Sequence, residues 1–125
     1  MNIIILDDNI LITDVILALI EDMNAGHNVV VVNDSKELLK HLKDESFDLM
    51  VSDWRLISDV DGKELLHRIV NEERLISKGI LITSYVRTGE ILLKSDFVTI
   101  MPKTDFINNI ESILKIYERD IEYEK

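Results

Sequence analysis

Short apolar runs alternate with stretches of helical periodicity along this chain, and that alternation restricts the fold more than any other feature. Ile3 to Leu6 is apolar on consecutive residues and rich in β-branched side chains, the pattern of a strand covered on both faces. From Ile10 to Met23 the residues Leu11, Ile12, Val15, Ile16, Leu19, Ile20 and Met23 recur at helical spacing, which predicts a first helix with those positions inward and Gly26 as its stop. Val29 to Val32 predicts a second strand, and Asp34 followed by Glu37 forms a capping-box pattern for a helix through Leu42. Phe47 to Ser52 reads as a third strand ending on Asp53, after which Asp61-Gly62 leads into a helix carrying Leu65, Leu66, Ile69 and Val70. Gly79 to Ile82 is the fourth strand, ending in Thr83-Ser84. A brief helix between Thr88 and Ser95 precedes the fifth, Phe97 to Met101, which ends in Pro102-Lys103. Thr104 is placed to cap a last helix with Phe106, Ile107, Ile110, Ile113, Leu114 and Tyr117 on one face.

Strands each followed by a helix imply an α/β fold. Right-handed crossovers make the sheet parallel and put the five helices on its two faces. At 125 residues the chain is expected to be a single domain, 1–125, in which 118–125 extends the last helix or forms a tail. The absence of cysteine excludes disulfides, thiolate metal sites and thiol nucleophiles, and fits a reducing compartment. No apolar stretch approaches a membrane span and no signal-peptide pattern opens the chain, so the expected location is cytoplasmic, with no membrane partner. A formal net charge of −10 repels phosphate backbones and argues against direct nucleic-acid binding.

In an open parallel sheet all strand carboxyl ends lie along one edge, and ligands bind there where the strand order reverses. The polar residues of this sequence collect at those ends: Asp7 and Asp8 after strand one, Asp53 after strand three, Thr83 and Ser84 after strand four, Lys103 after strand five. Strand two contributes nothing obvious, as expected of an outer strand in the order 2-1-3-4-5. Three carboxylates in one crevice repel by about 3 kcal/mol per pair at ~5 Å and an effective dielectric of ~20, so something positive should sit among them. A hard oxygen-ligand set with room for water suits Mg²⁺ better than zinc, because cysteine is absent and His27, His41 and His67 share no metal spacing and read as surface residues. Neighbouring strand residues face opposite ways, so Asp7 and Asp8 can share one ion only if the chain leaves strand geometry between them.

The stretches "ILDDN", "MVSDWRLISDVDG", "ILITSY" and "IMPKTDF" together resemble the receiver domain of two-component response regulators, over nearly the whole chain. The resemblance implies a flavodoxin-like doubly wound sandwich and phosphoryl transfer. Asp53 would accept a phosphoryl group from a sensor histidine kinase or a histidine phosphotransfer protein. Mg²⁺ would be held by Asp8, Asp53 and the Arg55 backbone carbonyl, with Asp7 acting through water. Lys103, Thr83 and the Ser84 amide would bind phosphoryl oxygens. It further implies a phosphoacceptor that catalyses only its own phosphorylation and dephosphorylation, and a surface that switches for a downstream effector or a homodimer partner. Arg55 and Tyr85 occupy the positions that tune dephosphorylation. A bulky Tyr85 is expected to shield the phosphoryl group and slow hydrolysis, an idea that fails if Tyr85→Ala leaves the acyl-phosphate lifetime unchanged.

Two positions depart from the family pattern. Thr104 stands where a cis proline usually follows the lysine, so a trans bond is expected, and Ile100 replaces the usual switching aromatic. These departures keep a second reading open, a pseudo-receiver that binds a protein partner without phosphorylation. Ile10 and Leu17, near the polar side of the first helix, read as partial exposure or as a patch for a kinase. An aspartyl phosphatase would need its nucleophile and acid two residues apart after strand one, whereas Asp7 and Asp8 are adjacent. Neither dinucleotide nor P-loop glycine motifs occur.

Overall fold

The computed structural model describes residues 1–53, 62–84 and 97–124. Its strands are β1 (Asn2–Leu6), β2 (Asn28–Val32), β3 (Leu49–Asp53), β4 (Lys78–Thr83) and β5 (Val98–Pro102). They form one sheet in the order β2-β1-β3-β4-β5, with every adjacent pair parallel. The described α-helices are α1 (Ile10–Met23), α2 (Ser35–Asp44), α3 (Gly62–His67), α4 (Lys103–Asn108) and α5 (Ile110–Glu124). This is the five-helix, flavodoxin-like α/β architecture. The brief helix expected between Thr88 and Ser95 lies outside the described residues.

The two-residue period of β1 divides the core. Ile4 and Leu6 join Leu38, Leu65, Leu66, Ile69, Val70 and Ile100 on one face of the sheet, while Ile3 and Ile5 join Ile16, Ile20, Phe106, Ile110 and Leu114 on the other. The four apolar side chains of β1, Ile3 to Leu6, are fully buried, which is why consecutive apolar residues rather than alternation mark this strand. Gly79 sits where a Cβ would lie 2.9 Å from Leu66 Cδ1, so its missing side chain allows α3 to pack close on β4.

Several local expectations are corrected. The capping box at α2 forms, with Asp34 accepting from the Glu37 amide at 2.8 Å, but the helix continues to Asp44. The third strand begins two residues later than expected and ends one later, the fourth begins at Lys78, and the fifth starts at Val98. α1 ends on Asn24 in a left-handed conformation (φ 49°, ψ 39°), two residues before the expected glycine; asparagine tolerates that region better than most residues. The inward face of α1 is also rotated. Thr13, Ile16 and Ile20 are buried, whereas Leu11 is 76% and Val15 45% exposed beside Ile10. Apolar residues surround much of this helix, so their spacing defines a helix without fixing which stripe faces the core.

α3 continues into a π-helical turn, Arg68–Glu72, which keeps Ile69 and Val70 buried. The last helix is not continuous. Asn109 ends α4, its side-chain amide bonding the Asp105 carbonyl at 3.0 Å, before α5 begins. Thr104 does not cap it. Pro102, with φ −61° and ψ 144°, holds the cap position, so Lys103 opens α4 rather than closing β5. A proline ending an edge strand and preceding a helix meets neither element's need for its missing N–H.

His27 is a further correction, since it is no surface histidine. Its side chain is 2% exposed, with Nδ1 3.1 Å from the Met1 ammonium and Nε2 3.3 Å from Glu118 Oε2 on α5. Asn28, the next residue, begins β2.

Candidate functional site

β1, β3 and β4 end at the same edge. The register pairs Leu6 with Ser52 and Asp53 with Ile82, so Asp7 emerges beside Asp53, and Thr83 follows one residue further along β4. Asp7 is fully buried, Asp53 is 8% and Thr83 1% exposed, and Asp8 is half-buried. One carboxylate oxygen from each of Asp7, Asp8 and Asp53 lies within 4.8 Å of the others.

The turn after β1 makes this convergence possible. The Asp7 amide still bonds Val32 of β2 at 3.2 Å, one rung past the strand's end. The chain then folds back, the Asn9 amide donating to Asp7 Oδ1 at 2.9 Å while the Asn9 side chain accepts from the Leu11 and Ile12 amides and starts α1. Asp7 therefore leaves strand geometry as soon as it has passed β2, and Asp8 comes round to the same pocket.

Lys103 supplies the positive charge expected among the acids. Its ammonium lies 3.1 Å from Asp7 Oδ2 and 3.2 Å from Asp53 Oδ2, from the first position of α4. Burial would lower its pKa, but the Asp7 and Asp53 carboxylates outweigh burial and hold the ammonium above its ordinary value. Among the described residues Asp7 Oδ2 nevertheless lacks a partner with hydrogen-bond geometry, and the Lys103 ammonium compensates this buried oxygen by Coulomb attraction. Lys103 lies against two of the three carboxylates, Asp7 and Asp53. A buried, under-coordinated oxygen within reach of two other carboxylates fits a hard divalent cation, and Mg²⁺ suits an all-oxygen donor set with water filling the remaining positions.

Of the other anticipated residues, Ser84 is exposed directly after β4, and Ile100 is 2% exposed on β5 among the α2–α3 side of the core. The Lys103–Thr104 bond is trans, as expected. Arg55 and Tyr85, with Trp54, lie outside the described residues. Leu17 is partly exposed and Ile10 is 62% exposed.

Strand two is not silent. Asn33, directly after β2, donates from its side-chain amide to the Asp7 carbonyl at 3.0 Å. The clue in the sequence was an amide-bearing residue in the same strand-end position as the acids, but Asn33 precedes a capping Asp and reads most simply as part of that turn.

A doubly wound parallel sheet whose carboxyl edge brings Asp7, Asp8 and Asp53 together beside Lys103 defines a class of α/β domain with an acidic pocket at its strand ends. Residues 3–114 match the sequence model of the response regulator receiver domain, and the chain belongs to that family, signalling modules that interact with histidine kinases and output effectors. No curated protein matches the chain. Among solved structures it resembles the receiver domain of a Francisella response regulator (24% identity, TM-score 0.77), covering 95% of this chain and 98% of that one. It also resembles the receiver domain of the hybrid histidine kinase CckA (21% identity, TM-score 0.72), covering 94% of this chain and 98% of the other. A receiver domain protein from Methanospirillum hungatei is similar as well (24% identity, TM-score 0.63, 95% and 97% covered). At these identities the likeness establishes the fold.

Proposed function

We propose that the domain is a phosphorylation-dependent switch in which Asp53 accepts a phosphoryl group from a phosphohistidine on a kinase or phosphotransfer protein. The observation that carries this reading is the meeting of Asp7, Asp8 and Asp53 oxygens within 4.8 Å of one another, with Lys103 bridging two of them. An Asp53 oxygen attacks phosphorus and the P–N bond breaks. The imidazole nitrogen leaves with the bonding pair and is protonated from water. Such transfer needs alignment and charge neutralisation more than covalent help.

Lys103 is positioned to pair with a phosphoryl oxygen, since its ammonium is already 3.2 Å from the accepting carboxylate. Thr83, at the end of the neighbouring strand, donates its hydroxyl to another oxygen, and the Ser84 amide assists. Asp8, Asp53 and the Arg55 carbonyl would hold Mg²⁺, with Asp7 acting through water; the bound ion supplies charge neutralisation on the transferring group. The exposed Ile10, Leu11 and Val15 of α1, which starts beside the pocket, give the phosphodonor an apolar place to dock. Drawing Thr83 and Lys103 toward the phosphoryl group alters the surface near β5 for an effector or a second receiver.

Beryllofluoride, a phosphoryl mimic, tests this directly. Emission from Trp54, the chain's one tryptophan, is followed through Mg²⁺ and then beryllofluoride addition, with ¹⁵N amide spectra as a second readout. The expected result is a response to the mimic that requires Mg²⁺ and is lost in Asp53→Asn. Silence in both readouts would instead support a phosphorylation-independent binding module.

A further inference from the structure

The parallel ladder between β1 and β2 stops in an unusual way at the pocket. Leu6 pairs with Val32 and the Asp7 amide donates to the Val32 carbonyl, so the next bond of the ladder would join the Asp7 carbonyl to the amide of residue 34. The Asp34 side chain instead caps α2, accepting from the Glu37 amide, and the Asp34 backbone amide makes no bond to the Asp7 carbonyl. The Asn33 side chain takes over that bond, its NH₂ group reaching the Asp7 carbonyl at 3.0 Å. Only the NH₂ end of the amide can face a carbonyl, so the orientation of Asn33 follows from its partner. The Asn33 backbone amide is held in turn by Glu37 Oε2 at 3.2 Å, which ties the residue to the first turn of α2.

The carbonyl of Asp7 and the amide of Asp8 belong to one planar peptide unit, so fixing the oxygen fixes the plane from which the Asp8 Cα projects. The Asn9 amide meanwhile fixes the Asp7 carboxylate. We infer that Asn33 is a positioning residue for the acidic pocket: by holding the Asp7–Asp8 peptide plane from the outer strand, it turns Asp8 toward Asp7 and Asp53 and so sets affinity for the divalent cation. This rests on the phosphoacceptor reading above. Groups that orient metal ligands from one bond away typically alter affinity by about 10- to 100-fold when removed, and Asn33, which acts through backbone, belongs at the lower end.

The test compares Mg²⁺ titrations of the wild-type chain, Asn33→Ala and Asn33→Asp by ¹⁵N amide shifts, alongside urea unfolding without metal. Both variants should bind Mg²⁺ roughly 10-fold more weakly. Asn33→Asp separates the donor role from simple charge, because an added carboxylate beside the pocket would by itself strengthen cation binding. The inference is overturned if Asn33→Ala binds within twofold of wild type, if Asn33→Asp binds more tightly, or if either loss of affinity is matched by loss of the folded state before metal is added. Failure of the wild-type chain to bind Mg²⁺ would instead defeat the underlying phosphoacceptor reading, so the two failures are distinguishable.

Discussion

The two ends of β1 treat polar groups in opposite ways. At the amino end the Asn2 amide donates to Asp48 Oδ2 at 2.8 Å, the Asp48 amide to the Asn2 carbonyl at 2.8 Å, and Asn28 bonds both the Asn2 side chain and the Met1 carbonyl at 3.0 Å. Donors and acceptors there match. At the carboxyl end Lys103 bridges Asp7 and Asp53 with Asp8 close by, and among the described residues Asp7 Oδ2 has no partner with hydrogen-bond geometry. The same strand thus joins a satisfied end, which secures the register, to an end where carboxylates crowd together, an arrangement that favours a cation.

Removing Lys103 should break that contrast most severely. Lys103→Met leaves Asp7 buried with no compensating charge and should destabilise the metal-free domain by about 3 kcal/mol, the scale for breaking a buried ion pair. Millimolar Mg²⁺ should recover most of the loss. Urea unfolding with and without the ion measures both, and equal destabilisation in the two conditions would show that cation and lysine do not serve the same carboxylates. Asp8→Asn should weaken Mg²⁺ binding at least tenfold, and an unchanged affinity in an Mg²⁺ titration would show that Asp8 does not hold the ion.

At the satisfied end Asp48→Ala should cost only about 0.5 kcal/mol, the lower range for one exposed hydrogen bond, with the Mg²⁺ titration unmoved. A shift in metal affinity would show that the two ends communicate along β1.

This contrast was only partly legible in the sequence. β1 was readable because both its faces are buried and every residue from Ile3 to Leu6 had to be apolar; the acids that stop it announced the pocket, strand–helix alternation gave the parallel sheet, and the strand order came from the polar strand ends together with the family resemblance. Lys103 was found as a strand-end charge but misplaced by one element, because Pro102 suits the last residue of an edge strand as well as a helix cap and the sequence does not choose between them. Asn33 was missed because its role depends on a ladder bond left open when Asp34 turns away to cap α2, a vacancy that exists only once β2 lies beside β1. The face of α1 was misjudged for a related reason: with Ile10, Leu11 and Val15 apolar yet exposed, periodicity cannot separate core from docking surface. His27 carried no signal, since its burial is created by α5 arriving from far along the chain.

His27 gives the smallest effect and the finest test of the satisfied end. Its Nδ1 faces the Met1 ammonium, so that nitrogen must be unprotonated to accept, and Nε2 then carries the proton donated toward Glu118. Burial is the main force lowering its pKa and the Met1 ammonium adds to it, while Glu118 opposes both. A histidine whose pKa is lower folded than unfolded binds fewer protons in the native state, so it contributes stability that is present above its ordinary value of about 6.5 and is lost as the pH falls from there through the lowered value. Lys103 adds nothing to this slope, because a raised lysine pKa keeps its contribution intact below the ordinary value and surrenders it only in alkaline solution. Urea unfolding at pH 7.5 and 5.5 should therefore show wild type losing more stability on acidification than His27→Gln does. An identical loss in the two proteins would mean that the imidazole accepts a proton as readily in the fold as out of it, and that the amino end of β1 is not the fully matched region its hydrogen bonds describe.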